Sequence, residues 1–229
     1  MRALLAGTVL VAVEGGNLII EGDNLANDIA VDTVAPNTFK VVGLVGTTLN
    51  GVALQVTLGG VTGDVRMKMR GGNDEVDVGV FFASAFPRDL RIDTGDGNNF
   101  VFVSRASVGR DLQIQAAEGN DFVGIIDSSV SRDTQIETGG GADFVSFDFS
   151  SVGRDMQIET RGGADFVQMR LSSVGRDTQI ETGGGNDTLL ALSSSFGGAF
   201  DADGGGDPDT LINVDNFFAQ TPHIKKFEL

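Results

Sequence analysis

The residues best equipped for chemistry in this chain are aspartates, and they recur at one fixed interval. Asp121, Asp143, Asp165 and Asp187 stand 22 residues apart, each in a glycine-rich corner such as Gly-Asn-Asp-Phe-Val at 119–123 or Gly-Ala-Asp-Phe-Val at 141–145. Asn99 precedes this series by one period and Asp209 follows it by one. A second series, in Gly-Arg-Asp and its variants, keeps the same step through Asp89, Asp111, Asp133, Asp155 and Asp177. Aligned carboxylates attract hard cations, and calcium takes oxygen ligands at about 2.3–2.6 Å. The densest acidic stretch, Asp201, Asp203, Asp207 and Asp209 among three glycines, is where an ion is first expected. It does not match an EF-hand loop, whose ligands and glycine fall at other offsets.

Two landmarks in one register point to a solenoid, in which each repeat buries its apolar side against its neighbours. Within a repeat the short apolar segments alternate, which is a strand period. In 156–160 the side chains of Met156, Ile158 and Thr160 share one face, and Gln157 and Glu159 share the other. In 144–149 the expected inward set is Val145, Phe147 and Phe149, with Ser146 and Asp148 toward water. No intervening stretch is long enough for a crossover helix, so the coils must stack in parallel, about 4.8 Å apart. The expected fold is an all-β, right-handed parallel β-helix with 22 residues per coil.

Stacking turns the period into columns. Ile92, Ile114, Ile136, Ile158 and Ile180 form a core stripe ending at Ala202, and Val108, Val130, Val152 and Val174 form another, flanked by Phe86 and Phe196. Ser107, Ser129, Ser151, Ser173 and Ser195 read as a structural serine ladder. A three-residue insertion near 82–86 should bulge outward. The Gly-Arg-Asp column has Arg110, Arg132, Arg154 and Arg176 beside it, but the corner aspartates have no basic column. At coil spacing, neighbouring corner charges repel by roughly 0.9 kcal/mol in water and about 3.5 kcal/mol at an effective dielectric near 20. Either calcium shared between corners relieves this, or each carboxylate accepts N–H groups of its own turn.

Phe100, Phe122, Phe144 and Phe166 follow the corner residues directly and share the parity of outward Ser146 and Gln168. Phe102, Ile126, Leu190 and Leu192 extend the same face. Outward rings in register make an apolar strip of the kind that marks an interface; the alternatives are that the corner twists them into the core or that a terminal segment covers them.

The composition narrows the function classes. The chain has 229 residues and a formal charge of −16, which opposes binding to nucleic acid. It contains no cysteine, no tryptophan and no tyrosine, so thiol chemistry and the usual sugar platforms are missing. His223 is the one histidine and lies in the terminal tail beside Lys225 and Lys226. Catalysis therefore has little support. No apolar run approaches membrane-spanning length.

Residues 1–62 are expected to hold an N-terminal cap and degenerate first coils, 63–214 the regular coils, and 215–229 a capping tail. The apolar segment 3–13 is either a remnant of a signal sequence or, better, part of a hairpin of strands 8–14 and 17–21 around Gly15-Gly16. The pattern Asn-Asp-Ile-Ala-Val at 27–31 suggests that degenerate coils begin there and run through 40–61.

The corner Gly-Gly-Gly-Ala-Asp-Phe-Val at 139–145 resembles half of the calcium-binding nonapeptide of RTX repeats, although each coil carries one such corner, not two. Asn-Leu-Ile-Ile-Glu-Gly at 17–22, followed by Val-Gly-Arg-Asp repeats, resembles β-solenoid segments of large bacterial surface and adhesin-like proteins. Arg-Ala-Leu-Leu-Ala-Gly at 2–7 is similar to the tail of a motif near the start of many such proteins. These resemblances imply a secreted, extracellular or cell-surface location and a structural or adhesive role without enzymatic activity. The expected partner is a second copy, as a homodimer or lateral assembly, or another surface protein or glycan. A calcium-stabilised binding module is the alternative, and a carbohydrate-active β-helix enzyme the third.

Overall fold

A computed structural model describes residues 7–52 and 54–228. Among them every regular element is a strand, and the strands wind into a parallel β-solenoid of about seven turns with about 22 residues per turn. Residues 2–6 of the apolar opening lie outside the described residues.

Three sheets form the walls, and each regular coil gives one strand to each. In one coil these are Phe144–Asp148, Ser151–Val152 and Met156–Glu159. They pair in parallel, without offset, with Phe166–Arg170, Ser173–Val174 and Thr178–Glu181 of the next coil. We name the walls the phenylalanine, serine and isoleucine sheets after their most regular columns.

The core follows from alternation. Ile92, Ile114, Ile136, Ile158 and Ile180 are buried, and Ile20 and Met67 extend their column toward the N-terminus. Val108, Val130, Val152 and Val174 are buried between Phe86 and Phe196 as the spacing predicts. On the phenylalanine sheet, Val101, Val123, Val145, Val167 and Leu189 point inward. Each fully buried aliphatic side chain contributes roughly 1.5–3 kcal/mol, so the stack gains stability with every coil.

The insertion keeps the register on both sides. Val78 pairs with Val103, 25 residues on, whereas Ser84 pairs with Ala106, 22 residues on. The extra residues therefore lie before Ser84, and Phe86 belongs to the core, where its ring lies 5.3 Å from that of Phe39. Phe81 and Phe82 sit exposed in the bulge, anchored by N–H groups that donate to the buried Asp32 carboxylate at 3.2 and 3.0 Å.

The expected hairpin forms between Gly7–Glu14 and Asn17–Glu21. The first true coil begins at Asp28–Ala35, which pairs in parallel with Glu75–Val78. The degenerate coils expected through 40–61 are corrected: Thr38–Gly43 and Gln55–Gly59 run antiparallel and extend the phenylalanine sheet beyond its first parallel strand. Antiparallel strands need only short turns, so this end is covered without a full coil. At the other end the tail covers the last regular coil by adding strands to it. Phe217–Phe218, His223–Lys225 and Phe227–Glu228 continue the three sheets in parallel.

One face assignment and one expected exposure are corrected. Phe149 is 52% exposed, because it opens a corner at φ 51°. Arg105, Asp127, Leu171, Ser193 and Asp215 repeat that left-handed residue, which resets the alternation. Ser146 and Asp148, expected in water, are buried by neighbouring side chains on the outer face. The structural serine column also lies one residue upstream of the expected one. Ser128, Ser150, Ser172 and Ser194 are buried, whereas Ser107, Ser129 and Ser173 are exposed. The Ser128 and Ser150 N–H groups donate to Ser150 and Ser172 Oγ at 3.0 and 3.2 Å, and the Ser150 hydroxyl donates to the Asp148 carbonyl at 2.8 Å.

Two substitutions test this packing by denaturant unfolding. Ile136→Ala is expected to cost about 2–5 kcal/mol, the usual range for emptying a packed core position. Ser150→Ala removes the acceptor for a buried N–H and is expected to cost about 1–3 kcal/mol, whereas Ser129→Ala stays near neutral.

Candidate functional site

The corner aspartates are buried and joined in one continuous ladder. It runs Asn27, Asp74, Asn99, Asp121, Asp143, Asp165, Asp187, Asp209, and in each pair the backbone N–H of the earlier residue donates to Oδ1 of the later one. The distances are 2.7 Å for Asn27 to Asp74, 3.0 Å for Asp74 to Asn99 and 2.8 Å for Asn99 to Asp121. The four steps from Asp121 to Asp209 measure 2.8–2.9 Å. The expected acceptance of backbone N–H groups thus occurs, but from the preceding coil and not from the residue's own turn.

The second side-chain atom distinguishes asparagine from aspartate in this column. Asn99 Nδ2 donates to the Gly97 and Gly95 carbonyls at 2.8 and 3.2 Å, and Asn27 Nδ2 donates to the Leu25 carbonyl at 2.7 Å. In the aspartates Oδ2 takes the place of that nitrogen. Oδ2 of Asp74, Asp121, Asp143, Asp165, Asp187 and Asp209 is buried with no hydrogen-bond partner. An unpartnered buried oxygen is costly when charged, and protonation converts it into a donor. Burial accordingly pushes Asp74, Asp121 and Asp165 up to about 6. Desolvation also raises Asp143, where the nearby Thr138 hydroxyl offsets part of the effect, and Asp209, where Asp187, Asp207 and Asp203 add repulsion.

The outer aspartate column has the opposite polarity. Asp133 and Asp155 N–H groups donate back to Oδ1 of Asp111 and Asp133, both at 3.3 Å. Its arginine partners come from the following coil: Arg132, Arg154 and Arg176 Nε lie 3.4, 3.4 and 3.6 Å from Asp111, Asp133 and Asp155. Position 198 holds glycine where arginine would recur, so Asp177 has no counterpart pair. Beside this column runs a shallow groove of about 400 Å³, lined by Asp133, Gln135, Asp155, Gln157, Asp177 and Gln179 among others.

The acidic stretch near the C-terminus does not converge. Asp201 faces outward and meets His223 Nδ1 at 2.9 Å. Asp203 accepts from Gly205 N–H at 3.0 Å and pairs with Lys226 at 3.4 Å. Asp207 is exposed, and Asp209 belongs to the buried ladder. Among the described residues no three acidic or histidine side chains come together in a geometry that could hold a metal ion.

Phe100, Phe122, Phe144 and Phe166 lie outside the solenoid, on the outer face of the phenylalanine sheet. Their rings follow one another at centroid distances of 4.6, 5.3 and 5.3 Å, parallel to within 7°. Phe100 remains 36% exposed, and the others are half-buried against each other. Gly124 makes room for the set, because a Cβ there would press on the Phe122 and Phe102 rings. A polar cluster interrupts the face: Asp148 accepts from Arg170 at 2.8 Å and from Gln168 at 2.9 Å. Spacing alone did not reveal this cluster, because it needs three side chains from two coils. No family model matches the chain, and neither a curated protein nor a solved structure matches it.

The ladder predicts a pH dependence. Asp74, Asp121, Asp143, Asp165 and Asp209 have folded pKa values above the ordinary aspartate value near 3.9, so their contribution is fully present below about pH 4 and is lost at higher pH, for Asp74, Asp121 and Asp165 as pH rises through about 6. The melting temperature is expected to fall between pH 4 and pH 7. Asp143→Asn keeps the Oδ1 acceptor and supplies the amide that Asn99 uses, so it is expected to stabilise by about 1 kcal/mol at neutral pH and by little at pH 4. Asp143→Ala, which orphans the Asp121 N–H, is expected to destabilise at both.

Proposed function

We propose that this protein is a non-enzymatic, secreted or surface-displayed β-solenoid that works by contact, assembling laterally with a second copy through the outer face of its phenylalanine sheet. The observation that carries this reading is the charge on that face. From Phe100 to Val214 the outward positions of the sheet strands hold one acid and one base, Asp148 and Arg170, and these pair with each other. The chain as a whole carries 32 acidic residues. Bringing together two bodies of charge −16 requires a contact surface free of net charge, and this face meets that requirement while offering aromatic rings to bury. Leu190, Leu192, Ile212 and Val214 continue the apolar strip toward the C-terminus. A strip of this kind meets itself most simply about a two-fold axis.

Calcium is the second reading, supported by the unpartnered Oδ2 atoms. Each occupies the position from which the asparagines reach main-chain carbonyls, so the corner is a small oxygen-rich space that a proton or a hard cation could satisfy. The two readings separate experimentally. Sedimentation is expected to show association that strengthens with sodium chloride, as the Debye length shrinks from about 30 Å at 0.01 M to about 10 Å at 0.1 M. Phe122→Thr combined with Phe144→Thr, matching Thr188 one coil on, is expected to abolish it without lowering the melting temperature by more than a few degrees. A monomer at every salt concentration refutes the contact reading. Millimolar calcium at neutral pH that raises the melting temperature favours the second reading, because a ligand bound only by the folded state must stabilise it.

A further inference from the structure

The last glycine-rich corner departs from its predecessors at two adjacent positions. Gly97, Gly119, Gly141, Gly163 and Gly185 recur with φ between 116° and 144°. A Cβ at any of the last four would run into the carbonyl oxygen of the glycine one coil back. One period later stands Asp207, with φ 65°. Pro208 follows it, where the earlier corners have asparagine or alanine. A proline ring crowds the residue before it and pushes that residue toward extended conformations. Asp207 instead holds a left-handed conformation in a column built for glycine, so the backbone is strained at this one peptide unit. Both residues are exposed, and water reaches the bond between them.

The chemistry of the pair gives that strain an outlet. The Asp207 side-chain carboxylate can attack its own main-chain carbonyl carbon, forming a C–O bond and closing a five-membered anhydride. The C–N bond to Pro208 breaks, and its electron pair stays on the proline nitrogen, which takes a proton from the acidic solution and leaves as a secondary amine. Water then opens the anhydride, leaving Asp207 with free side-chain and terminal carboxyl groups. One water is consumed and nothing is oxidised. The tertiary amide of an X–Pro bond is a more basic leaving group than an ordinary peptide, so the reaction runs in acid mild enough to keep some carboxylate ionised. The charged groups around the corner are Asp187, Asp203 and Asp209, with Lys225 and Lys226 facing Asp203.

We propose that the Asp207–Pro208 bond is a self-cleavage site, through which the folded protein severs its last coil, residues 208–229, in mild acid. The severed segment is then held by non-covalent contacts alone: Asp209–Val214, Phe217–Phe218 and His223–Lys225 pair with the preceding coil, Phe227–Glu228 pairs with Asp209–Val214, and Phe218 stacks on Phe196. Their departure bares three parallel strand edges, which are templates for strand addition. The four phenylalanines of the lateral contact stay on the solenoid after cleavage, and only the end of the strip, Ile212 and Val214, leaves with the severed coil.

The test is intact-mass measurement, under denaturing conditions, of the full chain held folded at about pH 4, near the ordinary aspartate pKa. A parallel sample is held at the same pH in urea. Fragments 1–207 and 208–229 are expected, their masses together exceeding the intact mass by one water. Cleavage of the folded chain is expected to be about tenfold faster than that of the unfolded chain, the scale set by strain at one residue. Asp207→Gly restores the residue type of the column; it is expected to fold with an equal or higher melting temperature and to resist cleavage. Cleavage no faster in the folded chain, cleavage that persists in Asp207→Gly, or a preference for another aspartyl bond such as Asp96–Gly97 would each overturn the proposal.

Discussion

Every coil of this solenoid must turn its corners without losing the hydrogen bonds that the strands make for themselves. Along the walls, parallel pairing satisfies the backbone; at a corner the chain changes direction and its N–H groups lose strand partners. The fold solves this with short side chains that reach across the coil-to-coil gap. The Asn/Asp ladder serves the glycine-rich corner, the Ser128, Ser150, Ser172 and Ser194 ladder serves the next, and the Asp111, Asp133, Asp155 and Asp177 column serves the third. Because each acceptor must meet the same N–H one coil away, the repeat length cannot drift, and the core columns stay aligned as a result. The bulge before Ser84 keeps this rule: it adds residues where no ladder passes.

Two aspartate columns of identical spacing meet different electrostatic fates. The outer one lies at the surface and interleaves with arginines from the following coil, so its charges are screened by partners and by water. The inner one is buried without any base, and its free oxygens occupy places that asparagine fills with a donor. Asn27 and Asn99 each turn their amide nitrogen to a main-chain carbonyl there, while Oδ2 of the aspartates from Asp121 to Asp209 has no such partner, and burial raises the pKa of Asp121, Asp143, Asp165 and Asp209. The same geometry that closes the corner thus makes it sensitive to acid. Stability and titration come from one set of atoms.

Charge also organises the exterior. The isoleucine sheet turns Gln135, Glu137, Gln157, Glu159, Gln179 and Glu181 outward, with each glutamine donating to the glutamate two residues on. The phenylalanine sheet, a separate wall of the same coils, carries stacked rings and, from Phe100 to Val214, one ion pair on its outer face. A solenoid exposes long flat walls, so a column of one residue type becomes a continuous stripe. That is how a single spacing, which places Phe100, Phe122, Phe144 and Phe166 in one column, becomes a surface large enough to matter for contact.

The amino-acid sequence by itself determined the coil length, the strand character and the interior columns, because period 22 and alternation are local properties that each repeat restates. The isoleucine and valine stripes, the outward rings and the opening hairpin were legible for that reason. What alternation could not decide was any residue beyond a left-handed turn: Phe149 moved outward, and the structural serines fell one position earlier than the spacing suggested, since φ at a corner resets the face. The antiparallel course of Thr38–Gly43 and Gln55–Gly59 was hidden too, because a strand pattern does not state its direction. The acidic residues were visible as a cluster, but tertiary structure sent Asp201 to His223, Asp203 to Lys226 and Asp209 into the ladder. These partners come from the neighbouring coil, 22 or 23 residues away, and only the stacked backbone decides which atom of which coil faces each carboxylate.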